Sequence, residues 1–98
     1  MAIGSGQQGF PYNRISILGN APSLSGVYVL YTQQQWIYVG ESGDIQTRLL
    51  QHLNGDNACI TRNGPTGFQF ELVDANQRVA RQNQWIAALN PVCNQRMG

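Results

Sequence analysis

Gly26-Val27-Tyr28-Val29-Leu30-Tyr31 and Trp36-Ile37-Tyr38-Val39-Gly40 are two runs of β-branched and aromatic residues, parted by the polar Thr32-Gln33-Gln34-Gln35. Such side chains fit a pleated, half-buried surface, and a four-residue gap is short enough for a hairpin. Two antiparallel strands are therefore expected here. Both runs carry a tyrosine, and the tyrosines stand ten residues apart.

Working outward, Glu41-Ser42-Gly43-Asp44 follows the second run, and Asp44 can cap a helix from Ile45 to about Asn54 that Gly55 would end. At ~100° per residue Ile45, Leu49, His52 and Leu53 share a face, with Arg48 at its edge one turn before His52. A Gly-, Asn- and Pro-rich stretch, Asp56 to Gly67, reads as a long loop. Phe68-Gln69-Phe70-Glu71-Leu72-Val73 alternates like a third strand, and Asp74 is the next candidate cap. The last helix is expected from about Asn76 to Leu89 with Val79, Trp85, Ile86 and Leu89 as its stripe, ended by Asn90-Pro91. Gln82 falls inside that stripe, where an apolar residue is the rule.

The reading is α+β: a small three-stranded antiparallel sheet flanked by helices, in the order β-β-α-β-α. A loosely ordered arm over 1–21, with one short ordered patch from Ile15 to Leu18, precedes a domain over 22–94 and a tail over 95–98. With 98 residues, 42% of them hydrophobic, the chain can build one core and not two.

Its six basic residues are all arginine, the formal net charge is +1, and only 11% of residues are charged, against ~25% in a typical domain. A tight nonspecific nucleic-acid binder needs a basic stripe to displace counterions, and none is present. Cys59 and Cys93 lack the spacing of a zinc site and are too few for a disulfide framework, so a reduced, cytoplasmic compartment is expected. No apolar run approaches the length of a membrane span.

Gly26-Val27-Tyr28 and Tyr38-Val39-Gly40 resemble the two tripeptides that name the GIY-YIG nuclease family, with valine for each isoleucine. Asp44-Ile45, Arg48-Leu49 and His52-Leu53 resemble its first helix, and Trp85-Ile86, Leu89-Asn90-Pro91 and Cys93-Asn94 its last helix and tail. The resemblance covers roughly Pro22 to Asn94 and implies a metal-dependent DNA endonuclease. It assigns Tyr28 and Tyr38 to the site, Tyr28 as general base and Tyr38 placing water or phosphate. It makes Arg48 the phosphate-holding cation, His52 a hydrogen-bonding neighbour, and Gly40 and Asn94 supports behind them. A phenol of ordinary pKa ~10 is a poor base at neutral pH, so a cation such as Arg48 would have to depress it.

The family's last helix carries a glutamate that binds Mg²⁺ or Mn²⁺, and its position here holds Gln82. An amide keeps one carbonyl acceptor but not the charge that a hard dication favours. Metal binding and turnover should both suffer. Glu41 reads as a loop acid sooner than as a substitute ligand. Two function classes follow: an endonuclease impaired or silenced by Gln82, and a nucleic-acid-binding or complex-forming module on the same fold. With little charge of its own, the chain would draw affinity for DNA from a protein partner, a dimer or the shape of branched DNA.

Overall fold

The structure is a computed structural model that describes residues 9–94. The start of the arm and the 95–98 tail lie outside the described residues. The expected hairpin is formed by β2 (Gly26–Tyr31) and β3 (Trp36–Ser42), preceded by β1 (Phe10–Pro11) and α1 (Arg14–Asn20). Then come α2 (Ile45–Leu53), α3 (Ala58–Asn63), β4 (Gly67–Leu72), a 3-10 turn (Ala75–Gln77) and α4 (Arg78–Leu89). The antiparallel sheet has four strands in the order β1-β4-β2-β3, one more than expected. The extra strand is the two-residue β1, too short to give a periodic signal.

Alternation along β2 divides the core. Tyr28 and Leu30 face α1, α2 and α3 with Ile17, Ile45, Leu49, Ile60 and Phe68, whereas Val27 and Val29 face α4 with Val39 and Trp85. Leu30 pairs with Tyr38 and Tyr31 with Trp36, so Ile37 is the extra residue of a β-bulge. The bulge puts Ile37 and Tyr38 on the same side of the sheet, against the first cluster.

α2 starts and stops as its sequence indicates. The Asp44 side chain accepts from the Thr47 N–H, and the end closes through Gly55 N–H to His52 O and Asp56 N–H to Gln51 O. That pair of bonds is a Schellman cap, and it needs the φ of +91° that glycine adopts at position 55. α3 corrects the expected loop: Asn57 caps its start by accepting from the Cys59 and Ile60 N–H groups, and Gly64 ends it in the left-handed region. In α4 the expected Asp74 cap is absent, because the 3-10 turn intervenes and the Asp74 side chain makes no capping bond. The helix therefore begins at Arg78, and Val79 sits exposed in its first turn, outside the buried stripe.

β3 is an edge strand, and the chain after α4 covers that edge. Val92 and Cys93 N–H groups donate to the Trp36 and Ile37 carbonyls, and unpaired edges are otherwise open to foreign strands. Cys93 is joined to Cys59 on α3 by a disulfide. This corrects the reading of the cysteines as unlinked, and their separation of 34 residues explains why no local spacing announced the bond. Among the described residues no helix is long and apolar enough to cross a membrane.

Candidate functional site

Tyr28 from β2, Tyr38 from β3, and Arg48 and His52 from α2 meet on one face of the sheet. The Tyr28 hydroxyl lies 2.7 Å from His52 Nε2. Tyr38 packs on both, with ring centroids 6.2 Å from Tyr28 and 5.3 Å from His52. Position 40 must be glycine for this packing: a Cβ there would collide with the Tyr28 hydroxyl and ring. Gly40→Ala is expected to displace Tyr28 and lower stability by about 1–3 kcal/mol, as overpacking does, which a urea titration would measure.

Asn94 clamps β3 beside the second tyrosine. Its amide donates to the Val39 carbonyl and accepts from the Val39 N–H, at 2.9 and 2.7 Å. The side chain thus completes the pairing of an edge residue between Tyr38 and Gly40.

The electrostatics differ from those expected. Burial pushes the Tyr28 phenol well above its ordinary range and Tyr38 reinforces this; the lowering by Arg48 does not offset it. Tyr38 is also raised, chiefly by burial. The phenols are therefore held neutral rather than poised as phenolates. Tyr28 is fully buried, whereas Tyr38 is partly exposed, so Tyr38 and Arg48 form the accessible surface and Tyr28 and His52 the layer beneath.

His52 is held below its ordinary ~6.5, first by burial and then against the opposing effect of Asp56. A histidine with a lowered folded pKa is neutral above that value, and the unfolded chain takes up the extra proton as pH drops. This stability contribution is thus present above about pH 6.5 and is lost as pH falls below it. Denaturation midpoints measured across that window should decline toward acid, and His52→Gln should flatten the decline.

One residue of the cluster was missed from sequence. Asp56 Oδ1 lies 2.8 Å from His52 Nδ1, and its Oδ2 lies 3.7 Å from Arg48 Nη1. The signal was the four-residue spacing from His52, hidden because Gly55 ends the helix between them.

Gln82 stands apart from this cluster. It is half-buried on α4, which covers the opposite face of the sheet, and makes no hydrogen bond to Tyr28, Tyr38, Arg48 or His52. One turn earlier, Arg78 Nε donates to Glu41 Oε1 at 2.7 Å, and its Nη1 donates to Ser25 Oγ at 3.0 Å. Glu41 is therefore an ion-paired acid rather than a free ligand. Among the described residues no group of three or more His, Cys, Asp or Glu could hold a metal ion. An amide does not suit a hard dication, and the Glu41 carboxylate is already paired with Arg78.

The model of the GIY-YIG catalytic domain matches residues 24–91. The chain belongs to the GIY-YIG family. UvrABC system protein C from Hydrogenobaculum sp. is 41% identical over 39 residues, which is 40% of this chain and 7% of that protein's length. The GIY-YIG endonuclease domain of Thermotoga maritima UvrC, solved with its catalytic magnesium, superposes with a TM-score of 0.73. It is 24% identical, over 84% of this chain and 94% of that domain. An asparagine-to-alanine mutant of the same domain gives a TM-score of 0.74 at 23% identity, over 85% and 94%. These superpositions establish the GIY-YIG fold, with helices on both faces of the antiparallel sheet.

Proposed function

We propose that this GIY-YIG domain is a scaffold for hydrolysing DNA phosphodiesters whose turnover is impaired by Gln82. The observation that carries the reading is the joining of Tyr28, Tyr38, Arg48 and His52 in one cluster with Arg48 and Tyr38 outermost. The Arg48 guanidinium, with 42% of its side chain exposed, can grip two phosphate oxygens and stabilise charge in the transition state. Tyr38, partly exposed beside it, takes the role of orienting the phosphate or a water in this reading.

Tyr28 keeps the role of general base by the route its hydrogen bond supplies. A water loses a proton to the phenol oxygen as the phenol passes its own to His52 Nε2. The resulting hydroxide bonds to phosphorus, the bond to the leaving oxygen breaks, and that oxygen takes a proton from solvent. The route requires the covered hydroxyl to open to one water. In this reading the Gln82 position, matched to the family's glutamate, stays the metal position, with α4 on the face opposite the tyrosine cluster.

The second reading, a nucleic-acid-binding or complex-forming module, is favoured by the poor metal donor set. Plasmid DNA with Mg²⁺ or Mn²⁺ separates the two. The scaffold reading expects cleavage by Gln82→Glu, and the module reading expects salt-dependent DNA binding without cleavage by either chain. Affinity from a protein partner or a dimer belongs to both readings. A cytoplasmic location requires the Cys59–Cys93 pair to be reduced there, since such bonds persist mainly in oxidising compartments. Thiol alkylation of the protein as isolated from cells reads this directly.

A further inference from the structure

We infer that Asp56 is a positioning residue, whose carboxylate fixes the tautomer of His52 and tethers Arg48 beside the two tyrosines. The inference rests on the proposed phosphodiester site. It begins with the helix end: the Schellman bonds at Gly55 and Asp56 turn the chain back along α2, which brings the Asp56 carboxylate against His52 while 34% of the side chain stays exposed.

A carboxylate at the C-terminal end of a helix faces the negative pole of the helix dipole and is disfavoured there. Here two specific partners offset that cost. The His52 side chain is 1% exposed and presents Nδ1 to Asp56 Oδ1 at 2.8 Å, and Arg48 reaches Oδ2 at 3.7 Å. Arg48 Nη1 also donates to Gln51 Oε1 at 3.0 Å, so the guanidinium is tied to this side of α2.

A carboxylate accepts and does not donate, so the hydrogen at Nδ1 must belong to His52. Neutral His52 then has a bare Nε2, the acceptor that the Tyr28 hydroxyl requires at 2.7 Å. Without the carboxylate the other tautomer becomes accessible, with its N–H directed at the Tyr28 oxygen. The groups facing His52 are Arg48 and Asp56 from α2 and its cap, Tyr28 from β2 and Tyr38 from β3. Of these, Asp56 acts on His52 Nδ1 directly, whereas both phenols can donate or accept and Arg48 acts through the Tyr28 oxygen.

Imidazole ¹⁵N spectra of the chain and of Asp56→Asn, with Asp56→Ala as a second variant, test this without relying on cleavage. The expected spectrum has a protonated Nδ1 and a bare Nε2, with the two nitrogen signals drawing together in both variants as tautomers mix. Spectra unchanged by either substitution would overturn the inference. A parallel assay in the Gln82→Glu background expects Asp56→Asn to cut turnover by roughly a hundredfold, the scale of positioned proton transfer, and DNA affinity by much less. Turnover unchanged despite tautomer mixing would also overturn it. No cleavage by Gln82→Glu itself, with the tautomer shift observed, would count against the nuclease reading and leave the assignment of Asp56 intact.

Discussion

Gln82→Glu is expected to turn a chain with little or no activity into a metal-dependent nuclease, with a rise in plasmid cleavage of at least about a hundredfold. The physical ground is charge. Mg²⁺ is commonly held by one or two carboxylates, waters and substrate phosphates, and a metal on the leaving side contributes several kcal/mol of charge stabilisation. The amide at position 82 supplies one neutral oxygen, and Glu41 is engaged by Arg78. The substitution adds one carboxylate at nearly constant volume, on a half-buried helix position. The check is plasmid nicking over a titration of Mg²⁺ and Mn²⁺, in which the gain must disappear with a chelator.

The second large effect is expected at Arg48. In the Gln82→Glu background, Arg48→Ala should lower the cleavage rate by about 10²–10³, the loss seen when one preorganised donor is removed from a charge-stabilising site. Arg48→Lys should recover little of it, because a point charge does not reproduce two parallel hydrogen bonds. Binding should weaken far less than turnover, since one exposed arginine is one phosphate contact among several. Arg48 pairs with Asp56 near the surface, where ion pairs contribute little, so the stability of Arg48→Ala should stay close to that of the parent. Single-turnover rates beside DNA-binding curves separate these effects.

Much of the candidate site is legible in the sequence because its elements announce themselves locally. The β2–β3 runs announce a hairpin, Asp44 marks where α2 begins, and the helical period then puts Arg48 and His52 one turn apart on the same side of that helix. What escaped depended on contacts distant in sequence or on breaks in periodicity. β1 is only two residues long. α3 is a six-residue helix whose capping residues, Asn57 and Gly64, look like loop residues when read alone. Asp56 lies beyond a helix end, and the partner of Cys59 is 34 residues away. Burial of the Tyr28 hydroxyl was also invisible, because it depends on the closeness of Gly40 across the hairpin. That burial reverses the expected direction of the phenol's pKa and leaves a neutral Tyr28 hydroxyl hydrogen-bonded to His52.

Removing a single oxygen tests the catalytic role of the Tyr28–His52 pair most directly. Tyr28→Phe in the Gln82→Glu background keeps the ring that fills the core and deletes the hydroxyl that meets His52. The measurement is the single-turnover cleavage rate at saturating DNA, with thermal denaturation confirming that the variant stays folded. A fall of about a hundredfold or more is expected, the scale of general acid–base catalysis, with DNA binding preserved. Cleavage at the parent rate would contradict it, because the Tyr28–His52 pair would then be packing rather than chemistry.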